Sequence, residues 1–208
     1  MDMEAARTAM VDTQVRPNDV TDRNLIAAMM LTPREKFLPK ELEAIAYAEK
    51  PLQTSPGRWM WAARDLGKLI EETEVEKGER VLVVAAGSGY AAAVLAAMGA
   101  RVVALEDDEE RVANLKSQFA GAADVTVAKG DLKTLSGVDG KFDVILIGGA
   151  VEVVPNRWLE LLGEGGRLAV AVREGNVGRA RIYLKSGGVA SARTPFDCTP
   201  SMHSGFDR

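Results

Sequence analysis

The chain has 208 residues, 47% of them hydrophobic, and a net charge of −4. This is enough apolar material for one substantial core, and it offers no basic stripe of the kind that binds nucleic acid. The single cysteine, Cys198, excludes an internal disulfide and suits a reducing cytoplasm, where MDMEAARTAMVDTQV at the start, lacking the apolar run of a signal peptide, and the absence of any run of roughly 20 apolar residues also place the protein, away from the membrane.

Residues 1 to about 50 read as helical, punctuated by Pro17, Pro33 and Pro39. Met3, Ala6, Met10 and Thr13 recur at helical spacing. Asp19 or Thr21 is expected to cap a second helix that buries Leu25, Ile26 and Met29. TPREKFLP places Pro33 just inside a short third helix and Pro39 at its end. KPLQTSPGRWM, residues 50–60, carries Pro51, Pro56 and Gly57 and reads as a loop. Residues 59–73 follow as a helix, with Trp59, Ala62, Ala63, Leu66, Leu69 and Ile70 apolar.

From Val81 onward strands and helices alternate. The pattern predicts strand 81–85, helix 89–98, strand 101–106, helix 109–119, strands 125–129 and 142–147, helix 155–162 and strand 167–173. Such alternation implies a parallel sheet with helices on both faces. VLVV, RVVAL and DVILI are continuously apolar, as strands covered on both faces should be. GRARIYLKSGGVASARTPFD changes to an alternating pattern around Gly187-Gly188, a hairpin signal. The expected fold is therefore α/β and Rossmann-like: a mostly parallel, doubly wound sheet that ends in an antiparallel hairpin and carries an N-terminal helical extension.

VLVVAAGSGYAAAVLAAMGARVVALEDD, residues 81–108, has the layout of a nucleotide-binding βαβ unit. Gly87 and Gly89 sit where strand turns to helix, so a ligand can approach the backbone and meet the positive end of a helix. Glu106 ends the next strand, 19 residues after Gly87, where a carboxylate can accept both hydroxyls of a ribose. Gly87, Gly89 and Ala92 with Glu106 also fit the NAD fingerprint. Three features favour S-adenosylmethionine instead. Asp131, in KGD, is placed to meet an adenine amino group. The terminal antiparallel hairpin belongs to a class I methyltransferase sheet. The glycine turn comes about 80 residues into the chain, behind a helical cap. No Cys/His cluster has metal-ligand spacing, and the lone His203 reads as a surface residue of a polar tail.

TAMVDTQVRPNDVTDRNLIAAMMLTPREKFLP resembles the N-terminal region of the protein-L-isoaspartate O-methyltransferases. Gln14, Arg16, Val20 and Asp22 match one element, and Thr32 to Pro39 match a second, P-R-E-x-F-x-P. AYAEKPL (46–52), GSGY (87–90) and KFDVILIGGAVEVVP (141–155) continue the likeness. It implies methyl transfer from S-adenosylmethionine to isoaspartyl carboxyls of damaged proteins or peptides. Residues 1–58 would then form a helical cap and substrate loop, and residues 59–208 the cofactor-binding domain. The implied cofactor contacts are Ala85, Ala86, Gly87, Ser88, Gly89, Tyr90, Glu106, Asp107, Asp131, Leu132 and Gly148. Gly148, Gly149 and Ala150 would line the methyl-transfer floor. Ser55 or Trp61 would stand at the substrate-loop serine, with Trp59 and Met60 beside them.

Two departures mark this chain. Val83 stands where the family has an acid that supports the methionine end of the cofactor, and Ala85 replaces a glycine. Gln53-Thr54-Ser55-Pro56 looks like the family's serine element, yet the spacing to Val81 places Trp61 there. These leave two alternatives: a methyltransferase whose acceptor stacks on Trp59 or Trp61, or a non-catalytic protein that kept the fold. An NAD oxidoreductase is a third. The sequence carries no signal of oligomeric state.

Overall fold

The computed structural model describes residues 2–175 and 177–198; His203 lies outside them. Helix α1, Met3–Met10, is capped by Asp2, whose carboxylate accepts the amides of Glu4 and Ala5. It runs into a π-helical turn, Val11–Val15, and a 3-10 turn, Arg16–Asn18, that ends at Asp19 with φ 63°. Helix α2, Arg23–Leu31, is capped by Asp22, not by Asp19 or Thr21. Asp22 has the extended backbone that a cap needs, while the Thr21 amide and hydroxyl are both spent on the Glu71 carboxylate. TPREKFLP forms only a 3-10 turn, Arg34–Phe37, with Pro33 just before it rather than inside it.

Residues 50–60 are not a loop. Strands β1, Leu52–Ser55, and β2, Arg58–Met60, pair antiparallel. Pro56 and Gly57 make the turn, Gly57 with the positive φ (71°) that the third position of a type II turn requires. Trp59 therefore lies in a strand, and helix α3 begins only at Ala63 and ends at Glu71.

The main sheet contains β3 (Arg80–Val84), β4 (Arg101–Glu106), β5 (Val125–Lys129), β6 (Phe142–Val151), β7 (Leu162–Glu174), β8 (Val177–Ser186) and β9 (Val189–Arg193). Its order is β5-β4-β3-β6-β7-β8-β9. The first five strands run parallel; β8 and β9 are antiparallel additions. Gly187 and Gly188, φ 59° and 79°, close the β8–β9 hairpin, as a two-residue loop with positive φ at both positions should. Helices α4 (Tyr90–Ala97) and α5 (Glu109–Gln118) fall as the alternation predicts. Helix α6 is shorter than expected, Asn156–Glu160, because β7 already begins at Leu162.

Burial explains the apolar runs. Val81 and Val83 of β3 face a core shared with α1 to α4, and Leu82 and Val84 face a second core with Phe142, Ile145, Trp158 and Leu168. Every residue from Val81 to Val84 is fully buried. A strand packed on both faces has no side to give to polar residues.

Candidate functional site

β3 and β6 lie side by side, but the chain leaves β3 toward β4 and reaches β6 only after β5. Ligands in open α/β sheets lodge outside the carboxyl ends of such strands. Two turns and the β1–β2 hairpin meet there.

The turn after β3 is left-handed at three positions: Ala85 (φ 55°), Gly87 (57°) and Gly89 (88°). Ala85 thus adopts a conformation that costs a non-glycine residue about 1–2 kcal/mol. A Cβ at Gly89 would lie 2.8–2.9 Å from the Phe119 ring edge and a Leu115 methyl, side-chain ends that would have to move aside. Gly87 has room, but what faces it is the hairpin: Arg58 Cβ at 3.8 Å and Thr54 Oγ1 at 4.0 Å from an ideal Cβ.

Glu106 ends β4 and is fully buried. Its Oε1 accepts the Gly87 amide at 2.8 Å and Arg58 Nε at 2.8 Å. Its Oε2 accepts Arg58 Nη2 at 2.9 Å, Arg111 Nε at 3.2 Å and the Asp107 amide at 3.3 Å. A carboxylate offers about four lone-pair sites, so none is left for a diol. Arg58 is 2% exposed and also donates to Asp107 and to the Gly57 carbonyl. Arg111 donates to Asp107 and to the Pro56 carbonyl, which ties the hairpin turn to α5. Partial burial would raise the Asp107 carboxyl, but hydrogen bonding and charge from Arg111 and Arg58 hold it below its ordinary value.

Trp61 follows β2, is 5% exposed, and donates its indole N–H to the Gly148 carbonyl at 2.7 Å. Between Trp59, Trp61, Val83, Ala85 and Gly148 only about 20 Å³ of space remains. The open space lies on the other side of the glycine turn: a cleft of about 280 Å³ bounded by Lys36, Thr54, Ser55, Gly87, Ser88 and Arg111. Ser55 and Trp61 are therefore both at the site, but on different sides of it.

The remaining expected contacts have structural partners. Asp131 Oδ1 accepts the amides of Thr134 (2.7 Å) and Lys133 (3.1 Å) and the Thr134 hydroxyl (2.8 Å), and the Thr134 amide leads in holding its carboxyl low. Leu132 is buried, its carbonyl accepting the Trp158 indole at 2.8 Å. Gly130 is demanded by the backbone: a Cβ there would fall 1.5 Å from the Ser136 carbonyl oxygen. Arg58 and Arg111 are the site residues that sequence reading did not reach. Arg58 stands 48 positions from its partner, with only the adjoining Pro56-Gly57 turn to mark it. Among the described residues no group of His, Cys, Asp or Glu is placed to hold a metal.

The helical cap packs against the same region through Arg34. Its buried guanidinium donates to the carbonyls of Ala46 (2.8 Å) and Trp61 and lies 5.0 Å from the Tyr90 ring centre. Burial lowers Arg34 and raises Tyr90. Burial and the bond to Glu35 push Tyr47 up to about 12, and burial pushes the Cys198 thiol up to about 12. All three rises favour the protonated fold. This stability is fully present below the ordinary values of 9.0 for the thiol and 10.0 for the phenols and, for Cys198 and Tyr47, is lost as pH rises toward 12. The melting temperature is expected to fall between about pH 9 and 12, less steeply in Tyr47→Phe; identical slopes in parent and variant would contradict the assignment.

As arranged, the crevice does not fit an adenosyl cofactor. The carboxylate is saturated, Val83 offers no acceptor, and a void of about 20 Å³ holds roughly one water. The chain is 38% identical over 171 residues to the protein-L-isoaspartate O-methyltransferase of Methylorubrum populi, covering 81% of this chain and 80% of that one. It is 33% identical over 168 residues to that of Methanoculleus marisnigri, covering 80% and 76%. A Plasmodium falciparum chain assigned as a protein-L-isoaspartate O-methyltransferase, solved with S-adenosyl-L-homocysteine, superposes with a TM-score of 0.77 at 20% identity, covering 94% of this chain and 97% of that one. At that identity the likeness is one of fold, and the fold is that of the class I methyltransferases expected above. The family model for protein-L-isoaspartate(D-aspartate) O-methyltransferase, whose members use S-adenosylmethionine, matches residues 5–197. The chain belongs to the protein-L-isoaspartate(D-aspartate) O-methyltransferase family.

Proposed function

We propose that this chain is an S-adenosylmethionine-dependent carboxyl O-methyltransferase whose acceptor is an isoaspartyl residue in a protein or peptide. The observation that carries this reading is the family match over residues 5–197, in a chain that keeps a glycine turn after β3 beside a carboxylate at the end of β4. That pairing sits at the crevice where such folds take ligands. On the acceptor side, Lys36 and the hydroxyls of Thr54 and Ser55 border the open cleft, a lining suited to a peptide carboxylate. A carboxylate is already nucleophilic, so the chain's task is placement and not proton transfer. The chemistry and the buried thiol suit the cytoplasm, and no helix among the described residues is long and apolar enough to cross a membrane.

The test uses methyl-labelled S-adenosylmethionine with an isoaspartyl peptide and its aspartyl twin. Both the parent chain and Arg58→Gln are assayed for a base-labile methyl ester. Label on the isoaspartyl peptide alone supports the reading. No label from either chain overturns it.

A further inference from the structure

The β1–β2 hairpin stands where a cofactor would have to lie. We propose that it is a built-in occupant of the cleft. Arg58 takes the place of ribose hydroxyls on Glu106, and Trp61 closes the floor at Gly148, so that the folded chain excludes S-adenosylmethionine until the hairpin is displaced. The proposal rests on the reading above, that the crevice is a cofactor site.

Four observations converge on it. The guanidinium fork of Arg58 meets both oxygens of Glu106 at 2.8 and 2.9 Å, the bidentate geometry that a diol would otherwise use. Arg58 Cβ faces the Gly87 turn from the hairpin side, 3.8 Å from an ideal Cβ, while Gly87 still borders the open cleft on the other. The Trp61 indole is hydrogen-bonded to the Gly148 carbonyl, leaving space for about one water beside Val83. The hairpin is also anchored from outside, since Arg111 reaches the Pro56 carbonyl and Asp107 ties both arginines together. An occupant supplied by the chain satisfies Glu106 without any ligand. On its other side the hairpin borders open space, since Thr54 and Ser55 of β1 line the cleft.

Calorimetric titration with S-adenosylhomocysteine tests this on the full chain, on Arg58→Gln and on Arg58→Lys, each first shown to be folded by circular dichroism. Lysine keeps the charge but loses the fork. Glutamine loses both charge and fork. In both variants the Gly87 amide and Arg111 still hold Glu106. Binding is expected to tighten in the order parent, Lys, Gln, with at least a ten-fold gain for Gln over the parent. If glutamine does not fold, the lysine variant alone must still gain. A parent that binds as tightly as its variants overturns the occupant and leaves the cofactor reading standing. Folded variants that all fail to bind at millimolar ligand overturn both. Hydrogen exchange across residues 52–60 supplies a second readout: ligand should lower protection there in the parent as the hairpin leaves, and unchanged exchange in a ligand-bound parent counts against displacement.

Discussion

Glu106→Ala is expected to destabilise the fold by about 3–5 kcal/mol, the usual consequence of removing one partner of a buried ion pair. For a chain of this length that is a fall in melting temperature on the order of 10 °C. The reason lies in what the alanine leaves behind. Arg58, 2% exposed, keeps only Asp107 and the Gly57 carbonyl. The Gly87 amide loses its acceptor inside a turn that is already left-handed at Ala85. A double variant separates the two contributions. Arg58→Met with Glu106→Leu removes both charges together and should recover most of the loss, because no uncompensated charge then remains buried. A single variant that melts within about 2 °C of the parent would mean that Asp107 alone can hold both arginines.

Gly148→Ala is the second large effect. A Cβ at this position would lie 2.2 Å from the Ala85 carbonyl oxygen and 3.3 Å from that of Val84. Both are backbone atoms of the strand-to-turn junction. Neither can rotate away, because Val84 and Ile147 are paired in the ladder between β3 and β6. The loss is expected to reach at least about 3 kcal/mol, the upper end for an overpacked core. Tryptophan fluorescence should change with it, since Gly148 supplies the acceptor for Trp61. Gly163→Ala is the control: its nearest neighbour would be the Phe142 carbonyl at an ordinary 3.6 Å, and it should melt close to the parent. Equal behaviour of the two alanines would refute the close approach.

The centre of the sheet is legible because its strands obey one rule. VLVV (81–84) and VILI (144–147) are buried on both faces and so are apolar at every position. Gly187-Gly188 announced the last hairpin because two adjacent positive φ values leave little choice of residue. The β1–β2 hairpin hid behind its own turn. Pro56 and Gly57 are strong breakers, and strands of four and three residues are too short to show alternation. The cap of α2 was missed by one to three positions, since Asp19, Thr21 and Asp22 all have the right chemistry and only Glu71, some 50 residues away, decides among them. The glycine turn and Glu106 were found together because their separation is local to one βαβ unit. That Arg58 would fill the pair could not be read, because nothing in the chain's spacing links position 58 to position 106.

The five hydrogen bonds on Glu106 also have a consequence for affinity. Any ligand that needs this carboxylate competes with a side chain covalently tethered beside it, whose effective concentration does not fall on dilution. Its apparent dissociation constant is the intrinsic one divided by the fraction of molecules with the carboxylate free. With about 1% free, a site of micromolar quality would read as roughly 100 micromolar. Ligand affinity in this chain is then set less by the walls of the cleft than by how rarely one arginine lets go.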